Sequence, residues 1–167
     1  MLPKRMSYDP SDEWMMREAL SEARVAFTKG EVPVGALFTL DGRIVARAHN
    51  LTETKRDPTA HAELLCLRAA AKVLRRWRLS GGILYTTLEP CTMCAGAIFL
   101  ARIRKVIWGA EDLRHGAYGS LLDVCATRHP THTPERAGGL LRDESARLMR
   151  TFFLNRRNED DTLCSGK

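Results

Sequence analysis

The runs Thr59-Ala60-His61-Ala62-Glu63-Leu64-Leu65 and Leu88-Glu89-Pro90-Cys91-Thr92-Met93-Cys94 decide how this chain is read. Cys91 and Cys94 are three positions apart, which puts both sulfurs on one face of a helical turn and lets two thiolates share a tetrahedral ion. His61 supplies a third donor. Zinc that performs chemistry keeps three protein ligands and an open position, whereas structural zinc is normally closed by a fourth Cys or His. No second C-x-x-C and no H-x-x-x-H occurs in the sequence. The ligand count favours an open site, although Cys125 or Cys164 could fold back and close it.

Glu63 sharpens this reading. Positions two apart on a helix do not face each other, so His61 and Glu63 reach one ion only if it lies beyond the helix's first turn. The pattern predicts a helix from about Ala60 to Trp77, capped near Thr59 and broken at Ser80-Gly81-Gly82. Pro90 pre-sets a second helix start before Cys91, with the helix running to Leu100. Two helix N-termini then point at one ion, and their positive ends help keep the thiolates ionised.

Outward from the site, Asp9-Pro10 reads as the cap and first residue of an initial helix, with Met16, Leu20, Ala23 and Phe27 at helical spacing and Gly30 at its end. Val34–Leu40 and Arg43–His49 are strands joined by Asp41-Gly42, a two-residue hairpin signal. Asn50 ends the second strand at a polar loop. Ile83–Thr87 and Lys105–Gly109 are further strands, Ala110–Ser120 is a loop, and Val124–Glu135 is irregular. His129 and His132 in that segment read as ordinary loop residues. Leu141, Leu148, Met149, Phe152 and Phe153 form an apolar stripe on a last helix, read as core, with Arg147, Arg150 and Arg157 on its other side. Strands alternating with helices after a hairpin predict an α/β fold with a mixed, largely parallel sheet and helices on both faces. Ligands in such sheets bind where strands feed helix N-termini, where both motifs fall.

A chain of 167 residues is read as one domain, with its core at about 11–158 and loose ends at 1–8 and 159–167. Hydrophobic residues make up 44% and charged residues 28%, ordinary for a globular protein, and no apolar run reaches the length of a membrane span. Met1-Leu2-Pro3-Lys4-Arg5 lacks the apolar core of a signal peptide, so a cytoplasmic protein is expected. Five cysteines without a scaffold rhythm argue against disulfides, and Cys66 reads as a small buried hydrophobe. The net charge of +6 lies after His61, because basic and acidic side chains balance over residues 1–60. That excess suits solvated helix faces or a phosphate-bearing partner equally.

His61-Ala62-Glu63 followed by Pro90-Cys91-x-x-Cys94 resembles the H-x-E, P-C-x-x-C signature of zinc-dependent nucleobase deaminases. Glu31-Val32-Pro33-Val34-Gly35-Ala36, Asn50, Thr87-Leu88-Glu89, Gly109-Ala110-Glu111-Asp112 and Gly116-Ala117-Tyr118-Gly119-Ser120 extend the likeness to the bacterial tRNA-specific adenosine deaminases, over roughly residues 11 to 158. Leu113 and Glu111 depart from that pattern, standing where Pro and a basic residue are found. The resemblance implies a cytidine-deaminase-like three-layer α/β/α sandwich with a mixed five-stranded sheet. It also implies one zinc ion per subunit held by His61, Cys91 and Cys94, with Glu63 as the catalytic proton carrier. Asn50, Asp112, Arg150 and Arg157 then take substrate-binding roles. The implied reaction is hydrolysis of adenosine to inosine at the wobble position of a tRNA anticodon stem-loop by a homodimer.

Two rivals share parts of this reading. A small-molecule cytosine, guanine or nucleoside deaminase would use the same zinc motif but would not require the Ala110–Ser120 loop or the arginines of the last helix. A zinc-stabilised nucleic-acid-binding module would use the metal structurally, but three ligands and an adjoining Glu argue against it.

Overall fold

The computed structural model describes residues 8–127 and 131–164. In its first helix, α1 (Pro10–Thr28), the Asp9 carboxylate accepts the Ser11 N–H at 2.9 Å while Asp12 accepts the Asp9 N–H at 2.9 Å, a reciprocal capping box around Pro10. The hairpin follows as β1 (Gly35–Leu40) and β2 (Arg43–His49), with Asp41 and Gly42 both at positive φ, the backbone a tight two-residue hairpin turn demands. A one-turn helix α2 (Thr52–Lys55) interrupts the polar loop before α3 (Ala62–Leu74). The chain continues through β3 (Ile83–Leu88), α4 (Thr92–Ala101), β4 (Lys105–Ala110), β5 (Glu135–Gly138) and α5 (Arg142–Cys164).

The five strands form one sheet in the order β2-β1-β3-β4-β5. β1 runs antiparallel to β2 and β3, and β4 runs parallel to β3 and β5. The sheet is therefore mixed and largely parallel as expected: β2, β3, β4 and β5 run one way, and β1 alone runs against them because the hairpin inserts it beside β3. Alternation along each strand splits the core in two. Ala36, Phe38, Leu84 and Val106 face α3 and α4, whereas Leu37, Tyr85 and Ile107 face α1. α5 joins α1's face, where Phe27 and Phe152 meet edge to face at 5.7 Å. The outcome is the α/β/α sandwich. Gly35 permits its closest approach, since a Cβ there would lie 2.0 Å from the Ala19 carbonyl oxygen.

Several boundaries depart from the sequence reading, each for a local reason. α3 starts at Ala62 because Thr59 is occupied elsewhere: its N–H and hydroxyl both donate to Asp57 Oδ1, at 2.8 and 2.7 Å. The helix ends at Leu74, well short of the glycines, where Arg75 turns into the left-handed region at φ 52° and its N–H closes onto the helix. β5 begins at Glu135, the last residue of the segment read as irregular, and was not expected; its four residues, Glu-Arg-Ala-Gly, carry no strand alternation. The expected tail from Glu159 is helical as far as Cys164, as no Gly or Pro interrupts residues 142–164. The expected loose arm at 1–8 lies, apart from Tyr8, outside the described residues, as does His129.

Candidate active site

β2 and β3 deliver the chain to one end of the sheet, where α3 and α4 begin side by side. His61 is the N-cap residue of α3, with extended backbone at φ −72°, and Cys91 is the N-cap residue of α4 at φ −73°. Neither side chain caps its own helix, so both are free to turn toward a common point. Asn50, at the end of β2, provides the missing cap: its Oδ1 accepts the Ala62 N–H at 3.0 Å. The strand-end capping role and the pocket role of Asn50 coincide, because the same buried residue also lines the cleft.

His61 Nδ1 lies 3.6 Å from Cys94 Sγ and 3.7 Å from Cys91 Sγ. Tetrahedral zinc, with bonds of about 2.3 Å to sulfur and about 2.0 Å to nitrogen, requires a sulfur–nitrogen separation of about 3.5 Å. The triangle therefore fits zinc. Among the described residues these three donors, all within 4.8 Å of one another, are the group able to hold a metal ion. Cys125 is half-buried outside that group, and the Cys164 side chain is not among those described. His132 Nε2 contacts the Ile103 carbonyl oxygen instead.

One thiol of the pair is held ready as a thiolate. Cys91 is held near 4, first by the Cys94 thiol beside it and then by His61, while Cys94 moves in the opposite direction as the proton-bearing partner. His61 is raised by its contact with Cys91. Glu63, 4% exposed, stands beside the triangle rather than in it. Burial pushes its carboxyl up to about 7, the range a group needs to take and return protons near neutral pH. Cys66, one turn further along α3, is raised by burial as an inert core thiol.

The site opens into a cleft of about 1250 Å³, larger than the roughly 300–1,000 Å³ of small-molecule pockets. Of the residues expected to face substrate, Arg150 and Arg157 line it on α5, and Asp112 lines it from the loop. Arg147 does not. Asp112 is engaged locally: its Oδ1 accepts the N–H groups of Arg114 at 2.9 Å and His115 at 3.1 Å. Glu111 pairs with Arg142 and so ties the loop to the start of α5. Phe153 corrects the reading of the α5 stripe. Adjacent residues on a helix point about 100° apart, so Phe152 is 5% exposed in the core while Phe153 is 43% exposed on the cleft.

Other residues were not assigned to the site from sequence. Arg114, His115 and Arg156 also line the cleft, and Arg156 is anchored by donating to the Gly30 carbonyl at 2.8 Å. Two buried carboxylates flank it. Glu31 accepts the N–H groups of Thr54 at 2.7 Å and Glu53 at 3.1 Å, which fixes α2. Glu89 does the same for the loop on the other side. Both glutamates stand in stretches that carry the family resemblance, but nothing local in the sequence shows which donors they meet.

Comparison with known proteins is consistent with this geometry. Residues 9–110 match the model of the cytidine and deoxycytidylate deaminase zinc-binding region. A tRNA-specific adenosine deaminase of Bacillus subtilis (strain 168) is 46% identical over 142 residues, 85% of this chain and 88% of that protein. A solved structure from studies of A-to-I editing by tRNA:A34 deaminases at the wobble position of transfer RNA superposes with a TM-score of 0.78 at 46% identity, covering 81% of this chain and 98% of the other. A guanine deaminase from Nitrosomonas europaea superposes with a TM-score of 0.71 at 26% identity, covering 89% and 86%.

Proposed function

This chain belongs to the cytidine and deoxycytidylate deaminase family, and from that premise we propose that it converts adenosine to inosine at the wobble position of a tRNA anticodon stem-loop. The observation that carries the reading is a buried Glu63 beside a zinc-fitting triangle, in a cleft that Arg150 and Arg157 also line.

His61, Cys91 and Cys94 would hold the ion. Bound there, zinc supplies Lewis-acid activation of a water molecule, lowering its pKa toward neutral. Glu63 does the proton work: its carboxylate takes the proton of the attacking water and passes protons to N1 of the adenine ring and to the amine departing from C6. Water gives its oxygen to C6, ammonia leaves, and hypoxanthine remains. Burial raises the affinity of Glu63 for the proton it takes, which suits it to act as the acid in the second half of the reaction. Asn50 and Asp112 border the base, and Arg150 and Arg157 face the phosphates of a splayed single-stranded loop, whose bases need no unpairing.

The rival small-molecule deaminase has no use for a cleft of this size or for its arginines. The metal-binding module has no use for a buried Glu at the triangle. A second copy of the chain suits α4, whose sequence TMCAGAIFLA is apolar around the helix while Leu100 is 71% exposed and Gly96 has open space over it. No helix among the described residues is long and apolar enough to cross a membrane, and we assign the enzyme to the cytoplasm with its substrate. Incubating the protein with total tRNA and analysing the nucleosides for inosine tests reaction and substrate together. Deamination of free guanine or cytosine in a parallel incubation, with tRNA untouched, would reverse the assignment.

A further inference from the structure

Glu89 sits two positions before Cys91 and is 2% exposed, yet the proton transfers at the metal make no use of it. Its carboxylate is surrounded by donors from a single stretch of chain. Oε1 accepts the N–H groups of Tyr118 at 2.8 Å and Ser120 at 3.2 Å. Oε2 accepts the Asp112 N–H at 3.2 Å and the Ser120 hydroxyl. Gly116 lies on the inside of this loop, where a Cβ would come within 2.6 Å of Glu89 Oε2 and 2.5 Å of the Asp112 carbonyl oxygen. Only glycine lets the chain wrap the carboxylate so closely. The loop is also stitched to the ligand-bearing turn, since Cys91 and Gly116 form an antiparallel bridge and the Ala117 N–H donates to the Pro90 carbonyl at 2.9 Å. Support then runs outward: Asp112, held by Glu89 through its N–H, accepts from Arg114 and His115 and so sets the lip on which Leu113 is 78% exposed.

We propose that Glu89 is a positioning residue for substrate recognition: it folds the Asp112–Ser120 loop onto the metal-binding turn and thereby shapes the RNA-facing lip of the cleft. The identity of the ligand rests on the function proposed above; the fastening of the loop does not. Converging N–H groups on both sides require an acceptor with two oxygens. A glutamine offers one carbonyl oxygen and one NH₂, so it satisfies one side and opposes the donors on the other. An alanine satisfies neither, and buried donors without partners favour an opened loop.

The test compares zinc-loaded wild type with Glu89→Ala and Glu89→Gln. Zinc content, exchange rates of the Asp112, Tyr118 and Ser120 amides by NMR, and steady-state kinetics on an anticodon stem-loop are measured. Zinc content is expected to stay unchanged. The three amides exchange roughly tenfold faster or more in Glu89→Ala, with Glu89→Gln between, and KM rises by a similar factor while kcat falls far less. Unchanged amide protection overturns the assignment. So does a fall in kcat at constant KM, which would place Glu89 in the chemistry. Loss of zinc in both variants overturns it too, by making Glu89 a support of the metal turn. If wild type produces no inosine from any RNA, the proposed function fails separately, and the exchange rates still decide the role of Glu89.

Discussion

Asn50 Oδ1 holds the first amide of the helix that follows His61, at 3.0 Å from the Ala62 nitrogen. One hydrogen bond thus joins the end of a strand to the start of a metal-binding helix, and it separates two roles of the same side chain. Replacing Asn50 by Ala is expected to cost about 1 kcal/mol of stability through the lost cap. Asp at this position keeps the accepting oxygen, so Asn50→Asp should recover that stability in denaturant melts. Activity should not recover with it if Asn50 binds the base as proposed, because Asp lacks the amide donor.

For Glu63, the expectation is chemistry without structure. Glu63→Gln should retain zinc and fold while inosine formation falls by at least about 10²-fold, the usual contribution of a positioned general acid–base. Metal analysis and nucleoside chromatography of the same sample check it, and near-normal turnover would remove Glu63 from the mechanism.

Removal of the metal should act on both helices at once, since His61 belongs to α3 and Cys91 and Cys94 to α4. A chelator, or Cys94→Ser, is expected to abolish inosine formation and lower the thermal midpoint, with both effects of the chelator reversed by added zinc. A chelated protein that melts at the same temperature would show that the ion does not join the two helices.

Acid should loosen α2. Burial alone would raise Glu31, but the N–H donors of Thr54 and Glu53 and the Thr52 hydroxyl outweigh it and hold the carboxyl below its ordinary 4.5. A carboxyl depressed in the folded state contributes stability that is fully present above the unfolded value and is lost as pH falls through the folded one. Wild type should therefore lose more stability than Glu31→Gln as pH drops below about 4.5. At pH 7 the variant should be less stable by about 1–3 kcal/mol, the cost of breaking buried hydrogen bonds to a charged acceptor. Urea melts at several pH values measure the difference.

Phosphate contacts reveal themselves through salt. Arg150→Glu and Arg157→Glu should each weaken stem-loop binding, and each should lower the slope of log affinity against log salt by about one. Fluorescence anisotropy at a series of potassium chloride concentrations provides the readout, with Arg147→Glu, off the cleft, as the control.

The residues that declared themselves in the sequence were those whose chemistry depends on short spacing. His61 and Glu63 lie within one turn of chain and Cys91 and Cys94 within another, and Asp41-Gly42 and Asp9-Pro10 carry their geometry in two residues each. What escaped depends on contacts across the fold. The start of α3 turned on Asp57 claiming Thr59 and on Asn50 reaching over from another strand. β5 is a strand because β4 lies beside it, not because Glu135–Gly138 alternate. Phe152 and Phe153 could not be told apart without knowing how α5 is rotated, and the partners of Glu31 and Glu89 lie more than twenty residues away.

β4 and β5 run parallel with no helix among the described residues between them, so the return path of the sheet includes the stretch that borders the cleft. Its backbone is committed to Glu89 and to the Cys91 turn, and its Asp123 side chain is paired with Arg136 of β5. Its outward side chains are not: Leu113, Leu121 and Leu122 are all more than half exposed. A library built to redirect this enzyme to other anticodons belongs at those three positions, where sequence can drift without disturbing the scaffold that keeps the stretch in place.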